Sequence, residues 1–366
     1  MDGVMNTSDI KVNINVGTNL KQHAFDQAIK HAIHDSGVDI SLPGGMVPVT
    51  LDWSNIEYVD LSTLIWAIIL LEQLKSRGYR VSLNLPQPKQ GQNSERIWSF
   101  LNRWHFFDAL KCVDHPSNLL SEDLMSYLAL GQKMSRYGEK YITDEDGNLQ
   151  PAIHEGLMAI TNLSLRRDDA DQIINEERFV DFVEKWKHKI ILRALMKWCG
   201  WNEDDATRFV TCIIYESMQN AVEHSDGTLV LTGFNVDNRH IVLCVADNGA
   251  GIPATLRTAF KNNPLLCDKA TLSDAQLIKH FADPEMILDS EYIKIATVGG
   301  SSSKTAKAGM GLYYFKKMIL EKGGQLRIRS GQACVEFTGS DSPSTDSLFN
   351  APGTSLRVIF PRKTSV

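Results

Sequence analysis

Two polar residues on one apolar helix stripe are the first candidates for chemistry. Between Asn202 and Val222 the sequence has the periodicity of a single helix, and Glu216 and Asn220 lie four residues apart on its apolar stripe. A carboxylate or amide at a buried position costs free energy unless it has a partner. A metal ion with its waters would supply such a partner, and hydrogen bonds to neighbouring backbone are the alternative.

A third candidate follows a predicted strand. Thr228–Phe234 and Ile241–Ala246 have strand composition with a turn between them, and the second strand leads into the letters DNGAGI, which begin at Asp247. We expect this carboxylate at the edge of a sheet, with room for a flat ring beside Gly249 and Gly251. Such a carboxylate can accept a hydrogen bond from the exocyclic amine of adenine, although an ordinary Asp-Gly turn would use the same residues.

A glycine-bearing segment at 299–311 precedes a predicted helix, Leu312–Glu321. Glycines that open a helix expose backbone N–H groups and let a phosphate approach closely, aided by the helix dipole. Lys304 or Lys307 could add positive charge there. A Walker-type loop is excluded, because it would need glycine at 298 and 303, where the chain has Val298 and Ser303.

Together these segments resemble the ATP-binding domain of the GHKL family, which includes gyrase, ATP-driven chaperones, histidine kinases and mismatch-repair ATPases. The letters ESMQNAVEH, DNGAGI and GMGLYYFKKMI follow one another in the order and approximate spacing of its N, G1 and G2 boxes. Gly353-Thr354, which precedes a predicted strand, Ser355–Phe360, resembles its last box. The resemblance implies a two-layer α/β sandwich, the Bergerat fold, over roughly residues 190–363.

The resemblance also implies roles for individual residues. Asn220 would hold Mg²⁺, Asp247 would bind adenine, and Glu216 occupies the position that activates water or a substrate hydroxyl in the ATPase and anti-sigma-kinase branches. The other nucleotide-binding positions that it implies are Gly249, Gly251, Lys304, Gly309, Met310, Gly311, Leu312 and Thr354.

The N-terminal part of the chain predicts a small α/β domain. Strand and helix periodicities alternate there, at 10–16, 20–34, 47–53, 61–76 and 81–85. Roughly residues 10–115 resemble the sulfate-transporter and anti-sigma-antagonist (STAS) domain. In its phosphorylatable members an acceptor Ser or Thr directly follows the turn's Asp, whereas here Asp60 is followed by Leu61 and then Ser62. Asp60 and Ser62 as simple helix-capping residues are the alternative.

We therefore expect an α/β protein with a STAS-like domain at 1–117, a helical connector at 118–189 and a GHKL ATP-binding domain at 190–366. The net charge of -6 gives no reason to expect a nucleic-acid partner. The N-terminus lacks the pattern of a signal peptide, and the longest apolar run, Leu61–Leu71, is broken by Glu72 and Lys75. A cytoplasmic protein without a membrane segment is the expectation.

Three functions use these residues. We predict an Mg²⁺-dependent ATPase in which lid closure or ATP-dependent homodimerisation controls a protein partner, because 62 positions separate Asp247 from Gly309 and suit a long lid. The alternatives are a serine/threonine protein kinase of the anti-sigma type, favoured by NAVEHSDG beside a STAS-like domain, and an ATP-sensing interaction module with little turnover. A sensor histidine kinase is not favoured, since His154 lacks the usual context of a phosphoacceptor.

Overall fold

The structure is a computed structural model that describes residues 11–87, 92–126, 128, 142–143, 149–150, 157–162, 190–212, 229–262, 286–298, 311–339, 341–346 and 348–363. The chain divides into two compact units, Met1–Ile160 and Thr161–Val366. Both combine helices with sheets, so the predicted α/β fold class is confirmed, with a small α/β domain at the N-terminus. Within the described residues no helix is both long and apolar enough to cross a membrane.

The N-terminal unit contains a three-stranded parallel sheet, β1 (Val12–Asn15), β3 (Pro48–Asp52) and β5 (Arg80–Asn84), in the order β1-β3-β5. A second parallel pair joins β2 (Asn19–Leu20) to β4 (Tyr58–Val59). The helices described in this unit include α1 (Gln22–Ser36), α2 (Leu61–Ser76), α3 (Gln92–Arg103), α4 (Phe106–Leu110) and α5 (Pro116–Leu119). Two further strands, β6 (Ile142–Thr143) and β7 (Leu149–Gln150), form a short antiparallel pair.

Helix α2 has the bounds that the sequence predicts, and almost every side chain from Leu61 to Leu74 is buried. A helix that is apolar all round belongs inside a domain rather than on its surface. Its first turn is capped by Asp60, whose carboxylate accepts hydrogen bonds from the Ser62 N–H (2.8 Å) and the Ser62 hydroxyl (2.6 Å). The capping alternative for this pair therefore describes the observed geometry.

The C-terminal unit is built on a seven-stranded sheet in the order β13-β12-β11-β14-β10-β9-β8. Its strands are β8 (Leu157–Asn162), β9 (Val230–Val236), β10 (His240–Asp247), β11 (Gln325–Gly331), β12 (Ala333–Thr338), β13 (Ser344–Thr345) and β14 (Ala351–Pro361). The pairs among β9 to β14 are antiparallel, and the boundary between the two units falls within β8.

The helices of this unit are α6 (Leu192–Ala194), which continues into a π-helical turn (Leu195–Cys199), α7 (Ile252–Asn262), α8 (Asp289–Ala296) and α9 (Gly311–Glu321). Residues 203–212 are also helical. Helices α7 and α9 pack on β11, and α8 packs on β11 and β12, which gives the helix-on-sheet layering that the sequence implies. Helix α9 ends before Gly323, whose left-handed φ of 70° matches the predicted glycine stop.

Several sequence expectations differ from the observed elements or lie beyond them. Strand β14 begins at Ala351, so Gly353 and Thr354 lie inside it rather than before it. The pairs Ser330–Thr354 and Gly331–Ala351 are consecutive on β11 but three positions apart on β14, so β14 contains a bulge at 352–353 and continues beyond it to Ala351. Most of the predicted helical connector at 118–189 lies outside the described residues. Its described parts include the strands β6, β7 and β8. Residues 213–222 of the predicted helix also lie outside the described residues.

Candidate functional site

An aromatic cluster holds the helical residues 203–212, which precede Glu216 and Asn220 in the sequence. The Phe209 ring lies 5.1 Å from the Phe360 ring of β14 and 6.0 Å from the Phe315 ring of α9, centroid to centroid. An ion pair between Asp205 and Lys322 ties the same helical segment to the residue that follows α9. These contacts set the position of residues 203–212 against β14 and α9.

Asp247, at the end of β10, is partly exposed as a residue, but protein atoms enclose its carboxyl group. Its Oδ1 accepts a hydrogen bond from the N–H of Gly249 (2.9 Å), the arrangement by which Asp stabilises a tight turn two residues ahead. The N–H of Thr354 also donates to this carboxylate. Loss of solvent on burial raises the pKa of Asp247 to about 6, and the two backbone donors partly oppose that rise. At neutral pH the group is an ionised acceptor.

The turn after β10 is also fixed from its other side. Asn248 accepts a hydrogen bond from the N–H of Leu229 at Oδ1 (2.9 Å), and its own N–H donates to the Leu229 carbonyl (3.2 Å). Leu229 immediately precedes β9, the neighbour of β10 in the sheet. The Asp247 turn is therefore held by backbone from both flanking strands, and its carboxylate has little freedom to reorient.

Two glycines allow this turn and β14 to approach each other closely. Gly251 (φ 82°) and Gly353 (φ 91°) both have left-handed backbone. A Cβ on Gly353 would overlap the carbonyl oxygen of Asp247, and one on Gly251 would lie 2.7 Å from the Ser330 hydroxyl and 2.9 Å from the Gly353 carbonyl oxygen. Only glycine satisfies both the conformation and the space at these positions.

Ser330 connects the start of α7 to β14, and the sequence analysis did not predict it. It is fully buried, and its Oγ lies 2.9 Å from the Ile252 N–H nitrogen, 2.9 Å from the Gly353 carbonyl oxygen and 3.1 Å from Thr354 Oγ1. In the sequence the Ser-Gly pair at 330–331 only indicates a turn. Its importance follows from the pairing of β11 with β14, which places Ser330 opposite Thr354.

A second unpredicted group clamps the helices to the sheet. Asp289, at the start of α8, pairs with the Arg257 guanidinium of α7 (Nη2 to Oδ1, 2.9 Å) and accepts a hydrogen bond from the Gln332 N–H (2.7 Å). Arg257 also lies over the Tyr292 ring, 4.9 Å from its centroid. Helices α7 and α8 thus hold the turn that follows Ser330. The Ser330 hydroxyl, at the start of this turn, is fixed in place with it.

Only some of the residues predicted to bind phosphate lie in the described part of the chain. Gly311 is the first residue of α9, so the backbone N–H groups of a helix N-terminus begin there, and Leu312 follows. Lys316 of α9 donates to the Thr297 hydroxyl (3.1 Å), which ties α9 to the end of α8, and burial lowers the pKa of Lys316. Lys304, Gly309 and Met310 lie outside the described residues.

The structure therefore brings together Asp247, Gly249, Gly251 and Thr354, which hydrogen bonds and close backbone contacts connect. An ionised acceptor beside a glycine-lined turn suits the amine edge of adenine. Within the described ranges no group of three His, Cys, Asp or Glu residues could hold a metal. The predicted Mg²⁺ ligand, Asn220, and the predicted base, Glu216, lie outside those ranges.

Comparison with known proteins agrees with this geometry. The family model described as histidine kinase-, DNA gyrase B- and HSP90-like ATPase matches residues 205–364. The matched region contains β9 to β14, α7 to α9 and the Asp247 turn, and it confirms the GHKL resemblance of the C-terminal half. No curated protein matches the chain. The N-terminal unit lies outside the matched region, and its STAS-like character stays a prediction.

Proposed function

We infer, from a C-terminal region that belongs over residues 205–364 to the histidine kinase-, DNA gyrase B- and HSP90-like ATPases, that this protein hydrolyses ATP with Mg²⁺ to control a protein partner. The family match implies ATP binding and an ATPase- or kinase-type activity for the region. The choice of hydrolysis, the metal and the partner is the proposal. It rests above all on the Asp247 carboxylate, which is held between two backbone donors beside a glycine-lined turn.

The adenine end of the proposed site uses Asp247 as its main recognition group. Its carboxylate keeps acceptor capacity beyond the bonds from Gly249 and Thr354, because two carboxylate oxygens offer about four lone-pair positions. An exocyclic amine would donate to that remaining capacity. Because Gly251 and Gly353 have no side chain, no Cβ atom enters the junction between the turn and β14.

The reacting end would lie with residues that precede β9 and α9. We propose that Asn220 holds Mg²⁺, which would neutralise phosphate charge, and that Glu216 takes the proton from the attacking water. Backbone N–H groups at Gly311 would bind phosphate oxygens, with Lys304 as a nearby cation. The aromatic cluster around Phe209 supports this assignment, since it fixes the position of residues 203–212, which precede Glu216 in the sequence.

Control of a partner would come from nucleotide-dependent closure or homodimerisation. The length of chain between Asp247 and Gly309, 62 positions, supports a lid. A protein kinase reaction is the second candidate, favoured by the letters NAVEHSDG together with the N-terminal α/β unit. Ser62 is fully buried and its hydroxyl donates to Asp60, so Ser62 itself is not an accessible acceptor for such a kinase.

Incubation of the purified protein with γ-labelled ATP and Mg²⁺ tests the proposal. Released labelled phosphate supports hydrolysis, label on a protein supports the kinase, and intact bound ATP supports a sensing module. Glu216→Gln should keep nucleotide affinity and lose phosphate release by at least about a hundredfold, the range of a general base. Asp237→Asn also changes a carboxylate to an amide, but in the turn between β9 and β10, at the end of β10 that lies away from Asp247. This control should leave both measurements as in the natural protein.

A further inference from the structure

The hydroxyl of Ser330 has all of its hydrogen-bonding capacity in use. A serine hydroxyl has one proton to donate and two lone pairs that accept. Three groups surround it, at 2.9 Å, 2.9 Å and 3.1 Å: the Ile252 N–H, the Gly353 carbonyl and the Thr354 hydroxyl. Because Ser330 is fully buried, water cannot take the place of any of these partners.

The chemistry of the three partners fixes the direction of every bond. The Ile252 N–H can only donate, and the Gly353 carbonyl can only accept, so the single proton of Ser330 points to Gly353. The third bond must then run from Thr354 to Ser330, with the threonine hydroxyl as donor. The Thr354 hydroxyl therefore has no proton left for a ligand and can only accept from one.

The backbone of Thr354 lies beside the Asp247 carboxylate, because its N–H donates to that group. We propose that Ser330 is a positioning residue that holds Thr354 as a second acceptor beside Asp247, and so makes the site select 6-amino purine nucleotides over 6-keto ones. The inference rests on the proposed function of the C-terminal region as a nucleotide site.

Two adjacent acceptors match the two hydrogens of one exocyclic amine. A keto oxygen at the same place would set its lone pairs against those of Asp247 and Thr354, and a buried acceptor without a donor costs free energy. Without Ser330, the Thr354 hydroxyl could rotate and donate its proton to the keto oxygen. Ser330 would act on selectivity without touching the base.

The test compares the affinities for ATP and inosine triphosphate, which carries a 6-keto oxygen in place of the amine. Calorimetric titrations at pH 7.5 would use the full chain, Ser330→Ala, Thr354→Val, the double variant and Ser355→Ala. Ser355 is a neighbouring buried serine of β14 and serves as the matched control. Ser330→Ala should lower the preference for ATP about fivefold, the worth of one hydrogen bond, and Ser355→Ala should leave it unchanged.

The double variant separates positioning from a general structural role. With valine at 354 there is no hydroxyl to orient, so Ser330→Ala on that background should weaken both nucleotides equally and leave their ratio unchanged. Equal weakening of both nucleotides by Ser330→Ala alone would overturn the proposal. If Ser330→Ala does not fold, Thr354→Val decides, since a ratio identical to that of the natural protein would equally overturn it.

The same titrations distinguish a failure of the proposed nucleotide site from a failure of the proposed role of Ser330. If the natural protein binds neither nucleotide, the proposed function and this inference both fail. If it binds ATP, and Asp247→Asn removes binding while the Ser330 and Thr354 variants keep the full preference, only the role of Ser330 fails.

Discussion

Asp60 in the N-terminal unit and Asp247 in the C-terminal unit both lie between a strand and a helix, but their carboxylates have different roles. Asp60 follows β4 and precedes α2, and its carboxylate accepts from the N–H and hydroxyl of Ser62 within its own helix. Asp247 ends β10 shortly before α7, and its carboxylate accepts from Gly249 and from Thr354, which lies on a distant strand. The first carboxylate caps a local helix, and the second joins two segments of a sheet.

The difference is one of electrostatics as well as of geometry. The pKa of Asp247 rises to about 6 because burial disfavours its charge, and a group in that condition is a candidate for ligand binding. The bonds from Ser62 complete a local cap at the start of α2, the ordinary means of satisfying a helix N-terminus. Changes at the Asp247 junction should therefore affect binding, while changes at Asp60 should affect stability alone.

The largest effect is expected from Gly353→Ala. The new Cβ would overlap the Asp247 carbonyl at a left-handed φ of 91°, so the junction must move apart. We expect a loss of about 3 kcal/mol in the free energy of unfolding together with the loss of ATP binding. Chemical denaturation and nucleotide titration measure the two effects.

Gly323→Ala is the matched control for this change. Gly323 has a left-handed φ of 70° and no atom within 4 Å of the new Cβ, so only the conformational cost of about 1 kcal/mol is expected. Equal destabilisation by the two substitutions would show that the close approach at Asp247 contributes nothing.

Asp247→Asn should weaken ATP binding at least about tenfold, because an amide replaces one acceptor with a donor that opposes the adenine amine. The free energy of unfolding at pH 7.5 should stay the same or increase, since the buried charge is removed. Fluorescence or calorimetric titration gives the affinity. Unchanged affinity for ATP would remove Asp247 from the site altogether.

The pH dependence of binding should follow the same carboxylate. Its folded pKa of about 6 lies above the ordinary value, so the protonated form accumulates as pH falls through about 6. Adenosine affinity should then decrease about tenfold from pH 7.5 to pH 5, and adenosine avoids the phosphates that titrate in this range. Asp247→Asn should flatten this profile, and an equally steep profile in that variant would assign it to another group.

The stability of the free protein should show the opposite sign. A carboxyl whose pKa is raised on folding binds more protons when folded, so its contribution to the free energy of unfolding decreases as pH rises from about 4 to about 6. Denaturation of the natural protein and of Asp247→Asn across this range measures that difference. A difference that grows with pH in favour of the natural protein would contradict the raised pKa.

Asp60→Ala should have the smallest effect. Loss of the cap on α2 should cost about 1 kcal/mol of the free energy of unfolding, with ATP affinity unchanged. Ser62→Ala, which keeps the carboxylate and its bond from the backbone N–H, should cost less. A change of ATP affinity in either variant would mean that the two aspartates are not as separate in function as their surroundings indicate.

The sequence predicted most of the elements and part of the junction around Asp247. Helix α2, the strand that leads to Asp247 and the glycine stop of α9 depend on local periodicity and turn chemistry, which are readable along the chain. Gly251 was predicted as a nucleotide-binding position, and the structure places it against the Ser330 hydroxyl. The predicted roles of Glu216 and Asn220 stay predictions.

By itself the sequence determined which segments carry the acceptor, the glycines and the helix starts, because each depends on residues close together in the chain. Only the tertiary structure decided which distant groups meet. Ser330 bonds to Ile252, 78 positions away, and Asp289 bonds to Gln332, 43 positions away. Pairing of β11 with β14 and packing of α7 and α8 create those contacts, and a serine before a glycine has no local feature that distinguishes an ordinary turn from the centre of a site.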